Sequence, residues 1–333
     1  MSGELKSVLN DGPIEGETLV SVCVITYNHG KYIRQCLDGI LMQKVNFPYE
    51  ILIHDDASPD ETADIIREYW EKYPTVIKPI LREENQYSKG VDVSRFNFDR
   101  AKAKYIAQCE GDDYWTDDGK LQMQVDFLEE HGEYVGTAHN VRTIDQDYRV
   151  LDESKHCYPI LSAHVFGKED AIKFQLVGQT ASLLHRNIFP TLSKEILDAY
   201  YACRSNGDQK LSLLYGLLGE MYFFEECMAD HRKIVSEGDS WSARTHGKNM
   251  YYYSFQSQCS LREFAKVIDP SLTIPEDGLC GIWYGSVLYF LRHPCVENLK
   301  ICLATLWDFP KKISLVGFFI RKFPNYILRV CRQ

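Results

Sequence analysis

The glycine-rich loops that usually cradle phosphates are missing from this sequence. No Gly-x-Gly-x-x-Gly follows its first apolar run and no Gly-x-x-x-x-Gly-Lys-Ser/Thr occurs anywhere, so neither a dinucleotide fold nor a P-loop is supported. The 11 cysteines include no Cys-x-x-Cys pair and no compact spacing. That argues against structural zinc and a secreted disulfide framework, and for a reducing, cytoplasmic compartment. Positive charge is short as well: 37 Lys and Arg face 47 Asp and Glu, for a net charge of −10. No nucleic-acid partner is expected, and an anionic ligand would have to be held by a metal or by backbone donors. The ~18 uninterrupted apolar residues of a membrane span do not occur, and Met1 to Thr18 lacks the apolar stretch of a signal peptide. The apolar content is that of an ordinary globular chain, enough for one large domain or a domain with an appendage.

What the chain does have is a concentration of carboxylates. The apolar run Tyr105 to Cys109 delivers Glu110, Gly111, Asp112 and Asp113, followed by Tyr114, Trp115 and a second acidic pair, Asp117 and Asp118. Carboxylates crowded at a strand end repel one another unless a cation or a bound proton sits among them. A hard-metal site with oxygen ligands is one reading and a solvated acidic turn is the other.

The surroundings favour the site. Leu19 to Ile25 is a continuous apolar, β-branched run suited to a strand buried on both faces, and Thr26-Tyr27-Asn28-His29-Gly30 ends it. Ile33, Cys36, Leu37, Ile40 and Leu41 then form an amphipathic helical stripe. Tyr49 to Ile53 predicts a second strand running into His54-Asp55-Asp56. Ser58 and Glu61 read as a capping box, with Pro59 at the first position of a helix that stops before Pro74. Val76 to Leu81 predicts a third strand, and polar, irregular Arg82 to Phe98 a functional loop. Asp99 to Lys104 reads as the end of a short helix. Asp118 is the expected cap of a helix over Gly119 to His131 that turns Leu121, Val125 and Leu128 inward, with strands at Tyr134 to Asn140 and Asp147 to Leu151. Repeated strand, loop and helix units predict an open, mostly parallel α/β sheet, in which ligands bind beyond the carboxyl ends of the strands. Thr26-Tyr27-Asn28, Asp55-Asp56 and the acidic run then share one rim. Mg²⁺ or Mn²⁺ held by Asp112, with Glu110 or Asp113 assisting, could neutralise a diphosphate there.

Taken in order, Val22-Cys23-Val24-Ile25-Thr26-Tyr27-Asn28, His54-Asp55-Asp56-Ala57-Ser58-Pro59-Asp60 and Glu110-Gly111-Asp112-Asp113-Tyr114-Trp115 resemble the bacterial family-2 glycosyltransferases of the GT-A fold, in particular those that build surface polysaccharides. The resemblance covers roughly the first half of the chain. It implies an inverting transferase using a nucleotide-sugar donor, usually a UDP-sugar, a divalent cation, and a glycan or lipid-linked glycan acceptor. It also implies that Thr26, Tyr27 and Asn28 line the nucleotide pocket and that Asp56, beside Asp55, recognises the base. Glu110-Gly111-Asp112 stands where the family has Asp-x-Asp, making Asp112 the leading metal ligand and Asp113 the second.

Further on, Gly178 to Arg186 resembles the family's strand near the acceptor. Ser205-Asn206-Gly207-Asp208 resembles the segment whose aspartate is the catalytic base, although Asp208 could equally cap the leucine-rich helix Leu211 to Leu218. Asp230-His231-Arg232-Lys233-Ile234 departs from the family's Tyr-Arg-x-His: Ile234 stands in the histidine's place, His231 or His246 could substitute, and Arg232 remains a candidate for the diphosphate. The expected organisation is an N-terminal extension (1–17), a catalytic domain (18–250, donor half 18–140 and acceptor half 141–250) and a mainly helical region (251–333). From Gly281 onward eight Lys or Arg face two Asp or Glu, so this part carries +6 and the rest −16. Ile282 to Leu291 and Ile313 to Phe323 read either as helices on an anionic membrane surface or as an appendage packed on the protein. A nucleotidyltransferase and a non-catalytic carbohydrate-binding protein are the alternative functions.

Overall fold

The computed structural model describes residues 17–152, 158–234, 245, 248–310 and 315. Nine strands make one sheet: β1 (Val20–Thr26), β2 (Tyr49–Asp55), β3 (Ile77–Leu81), β4 (Tyr105–Glu110), β5 (Tyr114–Trp115), β6 (Tyr134–Ile144), β7 (His164–Phe166), β8 (Leu184–Arg186) and β9 (Glu220–Arg232). The helices are α1 (Ile33–Leu41), α2 (Thr62–Lys72), α3 (Arg95–Phe98), α4 (Lys120–Glu130), α5 (Lys168–Ala171), α6 (Lys194–Ala202), α7 (Gly207–Leu218), α8 (Tyr251–Ile268), α9 (Asp277–Arg292) and α10 (Val296–Trp307). The strand order is β3-β2-β1-β4-β8-β6-β9-β5, with β7 on β9. The first four strands are parallel, as expected, whereas the rest of the sheet is mixed: β8 runs antiparallel to both β4 and β6, and β6 runs parallel to β9.

Alternation explains why β1 reads as continuously apolar. Val20, Val22 and Val24 pack with the α1 stripe and with Leu121, Val125 and Leu128 of α4. Cys23, Leu52 and Ile106 enter the cluster on the opposite face, with Phe98, Tyr200 and Leu214. Both faces are covered, so both parities must be apolar. The cysteines of the described residues are all free thiols.

Several local expectations are corrected. Helix α2 begins at Thr62, and Ser58 and Glu61 form no capping box. The Ser58 hydroxyl donates to Asp55 and accepts from the Asn28 amide instead. Asp118 pairs with Lys44, and Asp117 accepts from the Gly119 amide at the start of α4. The short helix is Arg95–Phe98, upstream of the expected one. Residues 145–149 form a turn in which Asp145 accepts from the Asp147 and Arg149 amides, so only a single bridge, Ile144 to Val150, remains of the strand expected at 147–151. Of Gly178 to Arg186 only the last three residues are a strand, since Thr180–Ser182 form a 3₁₀ turn.

At the C-terminal end, Leu279 and Cys280 of α9 are buried in a cluster with Phe255 of α8, Phe309 and Leu315. Ile282 to Leu291 is therefore helical and attached to the protein through one side of α9, while Ile313 to Phe323 lies, apart from Leu315, outside the described residues.

Lys120 is the one fully buried lysine of the inward face of α4, where it donates to Gln124 Oε1 at 2.7 Å and lies 4.1 Å from the centre of the Trp115 ring. Burial pushes its ammonium down to about 7. Below that pH both the folded and unfolded chains carry the charge, so the folded state bears the full desolvation cost. Between about 7 and the ordinary lysine value only the unfolded chain is protonated, and stability climbs with pH. Lys120→Met is expected to raise stability by about 1–3 kcal/mol near pH 7. Its advantage in melting temperature should shrink as the pH is raised towards 10; an advantage independent of pH would contradict this.

Candidate functional site

Three strand ends build the site. The β1 end is tied to the β2 end through its own amides: Asn28 N donates to Ser58 Oγ (2.9 Å), His29 N to Thr62 Oγ1 (2.9 Å) and Gly30 N to Asp60 Oδ2 (2.8 Å). Asn28 takes a left-handed backbone, φ 59°, which asparagine tolerates better than most residues. Because these donors already have partners, the loop offers no backbone cradle for phosphate. Tyr27 is half-buried beside it.

Asp55 and Asp56 both point into the protein. Asp55 accepts from the amide and hydroxyl of Ser58. Asp56 accepts from the amides of Gln86 (2.9 Å) and Tyr87 (2.9 Å), and its carbonyl accepts from Asn85 Nδ2. Asp56 thus anchors the 82–98 loop. That loop is held from its other side by a buried ion pair between Asp92 and Lys210 of α7.

The acidic run turns tightly between β4 and β5. Gly111 N donates to Ile25 O and Asp113 N to Glu110 O, both at 3.0 Å. A β-carbon at Gly111 would sit 2.5 Å from Thr26 Oγ1 and 2.9 Å from His29 Nδ1, so only glycine lets this turn close against the end of β1. Trp115, fully buried, donates its indole N–H to Ala181 O and anchors the far side.

The carboxylates then separate by role. Asp113 is buried and accepts from Arg232 N (2.7 Å) and Gln179 Nε2 (2.5 Å), with His231 Nδ1 3.3 Å away. Asp112 is half-buried and its Oδ2 lies 3.8 Å from His29 Nε2. The Glu110 carboxylate meets no hydrogen-bond donor among the described residues. Burial, then the charges of Asp112 and Asp113, push its carboxyl up to about 8, and burial also raises Asp112. Oxygens of all three lie within 4.8 Å of one another. Two partly open carboxyls whose pKa values burial raises, crowded beside a third, are a donor set that fits Mg²⁺ or Mn²⁺. Glu110 and Asp112 would hold it, beside the buried Asp113.

Arg232 is placed differently from a ligand for phosphate. Its Nε donates to Asp112 O (2.9 Å) and its terminal nitrogens to Asp145 O and Gln35 Oε1, while its guanidinium lies between the rings of Tyr32 and Tyr148 (4.4 and 4.3 Å). It braces the acidic turn from beneath. Ile234 is buried and His246 falls outside the described residues.

Asp208 lies in the first turn of α7, whose N-cap is Asn206, so its carboxylate is not used up as the cap. It accepts from Gln209 N (2.8 Å) and from the Tyr158 hydroxyl (3.2 Å). Burial raises its pKa, and those two donors pull it back. Tyr158 also meets the His231 ring edge-on at 5.3 Å, and its hydroxyl feels the charges of Asp208, Glu110 and Asp113. Tyr158 thus links the α7 carboxylate to His231, which lies beside Asp113 of the acidic turn. Sequence reasoning missed Tyr158, which has no residue pattern around it, and missed the supporting Gln179 and His29. Only the position of His29 directly behind Asn28 could have signalled the last.

The family model described as Glycosyl transferase family 2 matches residues 21–192, just over half of the chain. An uncharacterised protein of Mycobacterium tuberculosis is 34% identical over 239 residues, covering 68% of this chain and 65% of its own length. The chain thus spans slightly under two thirds of that relative. TuaG of Bacillus subtilis, named for a glycosyltransferase role in teichuronic acid biosynthesis, is 29% identical over 238 residues, 71% of this chain and 87% of TuaG. Among solved structures, S. aureus TarS 1–349 in complex with UDP-GlcNAc aligns at 15% identity and TM-score 0.49, over 87% of this chain and 91% of that one.

Proposed function

Because the chain belongs to glycosyl transferase family 2, we propose that it moves a sugar from a nucleotide-diphosphate donor, a UDP-sugar first of all, to a hydroxyl of a glycan or lipid-linked glycan in surface-polysaccharide synthesis. The observation that carries this is Tyr158, whose hydroxyl donates to the helix-start carboxylate of Asp208 and whose ring packs on His231 beside the acidic turn. The name of TuaG supports the same class of product.

Asp208 is the general base in this reading. Its ionised carboxylate takes the proton of the acceptor hydroxyl as that oxygen attacks the anomeric carbon from the face opposite the nucleotide, so one displacement inverts the configuration. Tyr158 and the Gln209 amide orient the carboxylate and favour its charged form. Glu110 and Asp112 are assigned to Mg²⁺ or Mn²⁺, which when bound supplies charge stabilisation for the departing diphosphate. Thr26, Tyr27, Asn28, Asp55 and Asp56 are assigned to the nucleoside side of the pocket, where Asp56 also anchors the 82–98 loop. Residues 18–140 would form the donor half and 141–250 the acceptor half, and the chain is assigned to the cytoplasm.

A nucleotidyltransferase fits less well, because the amides of residues 28–30 are already engaged by Ser58, Asp60 and Thr62. The test is release of nucleotide from a panel of nucleotide sugars, with and without Mn²⁺, together with the anomeric configuration of the product by NMR. Metal-dependent release from at least one donor with inversion is expected. If no donor is turned over or bound under any metal condition, the transferase reading fails and a carbohydrate-binding module takes its place.

A further inference from the structure

We propose that Tyr253 of α8, beyond residue 250, is a positioning residue for Asp208, and that α8 thereby completes the acceptor half of the site. The inference rests on the reading of Asp208 as the general base. It starts from an asparagine whose side chain is drawn away from its usual partner. Asn206 is the N-cap of α7, where an asparagine oxygen ordinarily accepts from an amide of the first helical turn. Its side chain makes no such bond. Asn206 Oδ1 instead accepts from the Tyr253 hydroxyl at 2.8 Å. The amide left to other acceptors serves the base: Gln209 N, in that first turn, donates to Asp208 Oδ1 at 2.8 Å.

Tyr253 belongs to a row. Tyr253, Ser257 and Ser260 recur at i, i+4 and i+7, on one face of α8, and all three meet residues 204–209, the turn that carries Asp208. Ser257, buried, has its Oγ 2.7 Å from the Ser205 hydroxyl and 3.3 Å from Gln209 Oε1, which also accepts from Ser205 at 2.7 Å. Ser260 Oγ accepts from Arg204 N at 2.9 Å. The other buried residues of α8, Phe255, Leu261, Phe264 and Ala265, are apolar and suffice to pack the helix. A hydroxyl buried among them costs stability unless it is hydrogen-bonded, and every hydroxyl of the row finds its partner in the turn.

Competition for one amide gives the row its consequence. A carboxylate that accepts from an N–H is held both in its charged form and in one orientation. Released by Tyr253, Asn206 Oδ1 would take up the ordinary cap position and compete with Asp208 for Gln209 N. The base would then keep the Tyr158 hydroxyl as its remaining donor of the two.

Steady-state kinetics of the full chain test it, with UDP affinity measured alongside. Tyr253→Phe keeps the ring and removes the hydroxyl, and should lower kcat about tenfold while UDP affinity stays within about twofold of wild type. Tyr252→Phe is the control: the neighbouring hydroxyl donates to Asp308 rather than to the turn, and its loss should leave kcat unchanged. Glycine is tolerated at an N-cap and has no side chain to compete, so adding Asn206→Gly to Tyr253→Phe should bring kcat back to within about threefold of Asn206→Gly alone. A purely structural role of Tyr253 would not be relieved in that way. Thermal melts of the variants close to that of wild type verify the fold. Wild-type kcat in Tyr253→Phe overturns the proposal, as does a loss that Asn206→Gly does not relieve. Full turnover by Asp208→Asn overturns the base and this inference with it, whereas an inactive Asp208→Asn beside an unaffected Tyr253→Phe overturns this inference alone.

Discussion

Asp208→Asn is expected to lower turnover of the donor about 10³-fold in the presence of acceptor, while nucleotide affinity stays within about twofold of wild type. Asparagine keeps the shape of the side chain and can still accept from Gln209 N and Tyr158, so the start of α7 and its buried Lys210–Asp92 pair should hold. What it cannot do is take a proton. The pH profile carries the same signature. Asp208 acts only when ionised, and burial raises its pKa, so the acid limb of the wild-type rate should lie above the ordinary carboxylate range and be absent from the residual rate of the variant. Steady-state nucleotide release from pH 4 to 8 measures this. Full turnover by the variant would move the base elsewhere and leave Asp208 as part of the first helical turn only.

The second large effect is expected at Asp112. Asp112→Asn should lower kcat/KM about 10³-fold, and, unlike the change at Asp208, it should act through loss of donor and Mn²⁺ binding. The neighbouring Glu110 supplies a second readout. After burial, the charge of Asp112 is the largest influence that raises the Glu110 carboxyl to about 8. Removing that charge should let Glu110 ionise at lower pH. In the wild type, a cation must displace a proton from Glu110 below about pH 8, so Mn²⁺ affinity should increase as the pH rises towards that value and then level off. In Asp112→Asn the remaining weak affinity should level off earlier. Mn²⁺ affinity unchanged by the substitution would remove Asp112 from the metal site.

The first half of the chain could be read from the sequence because its signals are local. The β1 run and the α1 stripe of Ile33, Cys36, Leu37, Ile40 and Leu41 are buried as their spacing demands, and the three polar clusters fall on one rim because parallel strands place their carboxyl ends together. What failed were residues whose partners lie far away in sequence. Ser58 looked like a helix cap until Asn28 and Asp55 competed for its hydroxyl. Arg232 reads as a candidate for a diphosphate, and no local pattern announces its partners Asp112, Asp145 and Gln35 or the two tyrosine rings beside it. Three neighbouring carboxylates look alike on paper, and only the approach of Arg232 N and Gln179 separates Asp113 from Glu110 and Asp112. Lys120 on the buried face of α4 breaks the amphipathic rule altogether, and Tyr158 had no signal at all.

The account stands on Glu110 and Asp112 sharing one divalent ion. Titration of Mn²⁺ into the purified chain, followed by the loss of the free-ion electron paramagnetic resonance signal in the presence of UDP, addresses that claim directly. One bound ion per chain, tighter at pH 8 than at pH 6 and much weaker in Asp112→Asn, is the predicted result. A free-ion signal that the protein does not diminish, or one that Asp112→Asn diminishes as well as the wild type does, would contradict it.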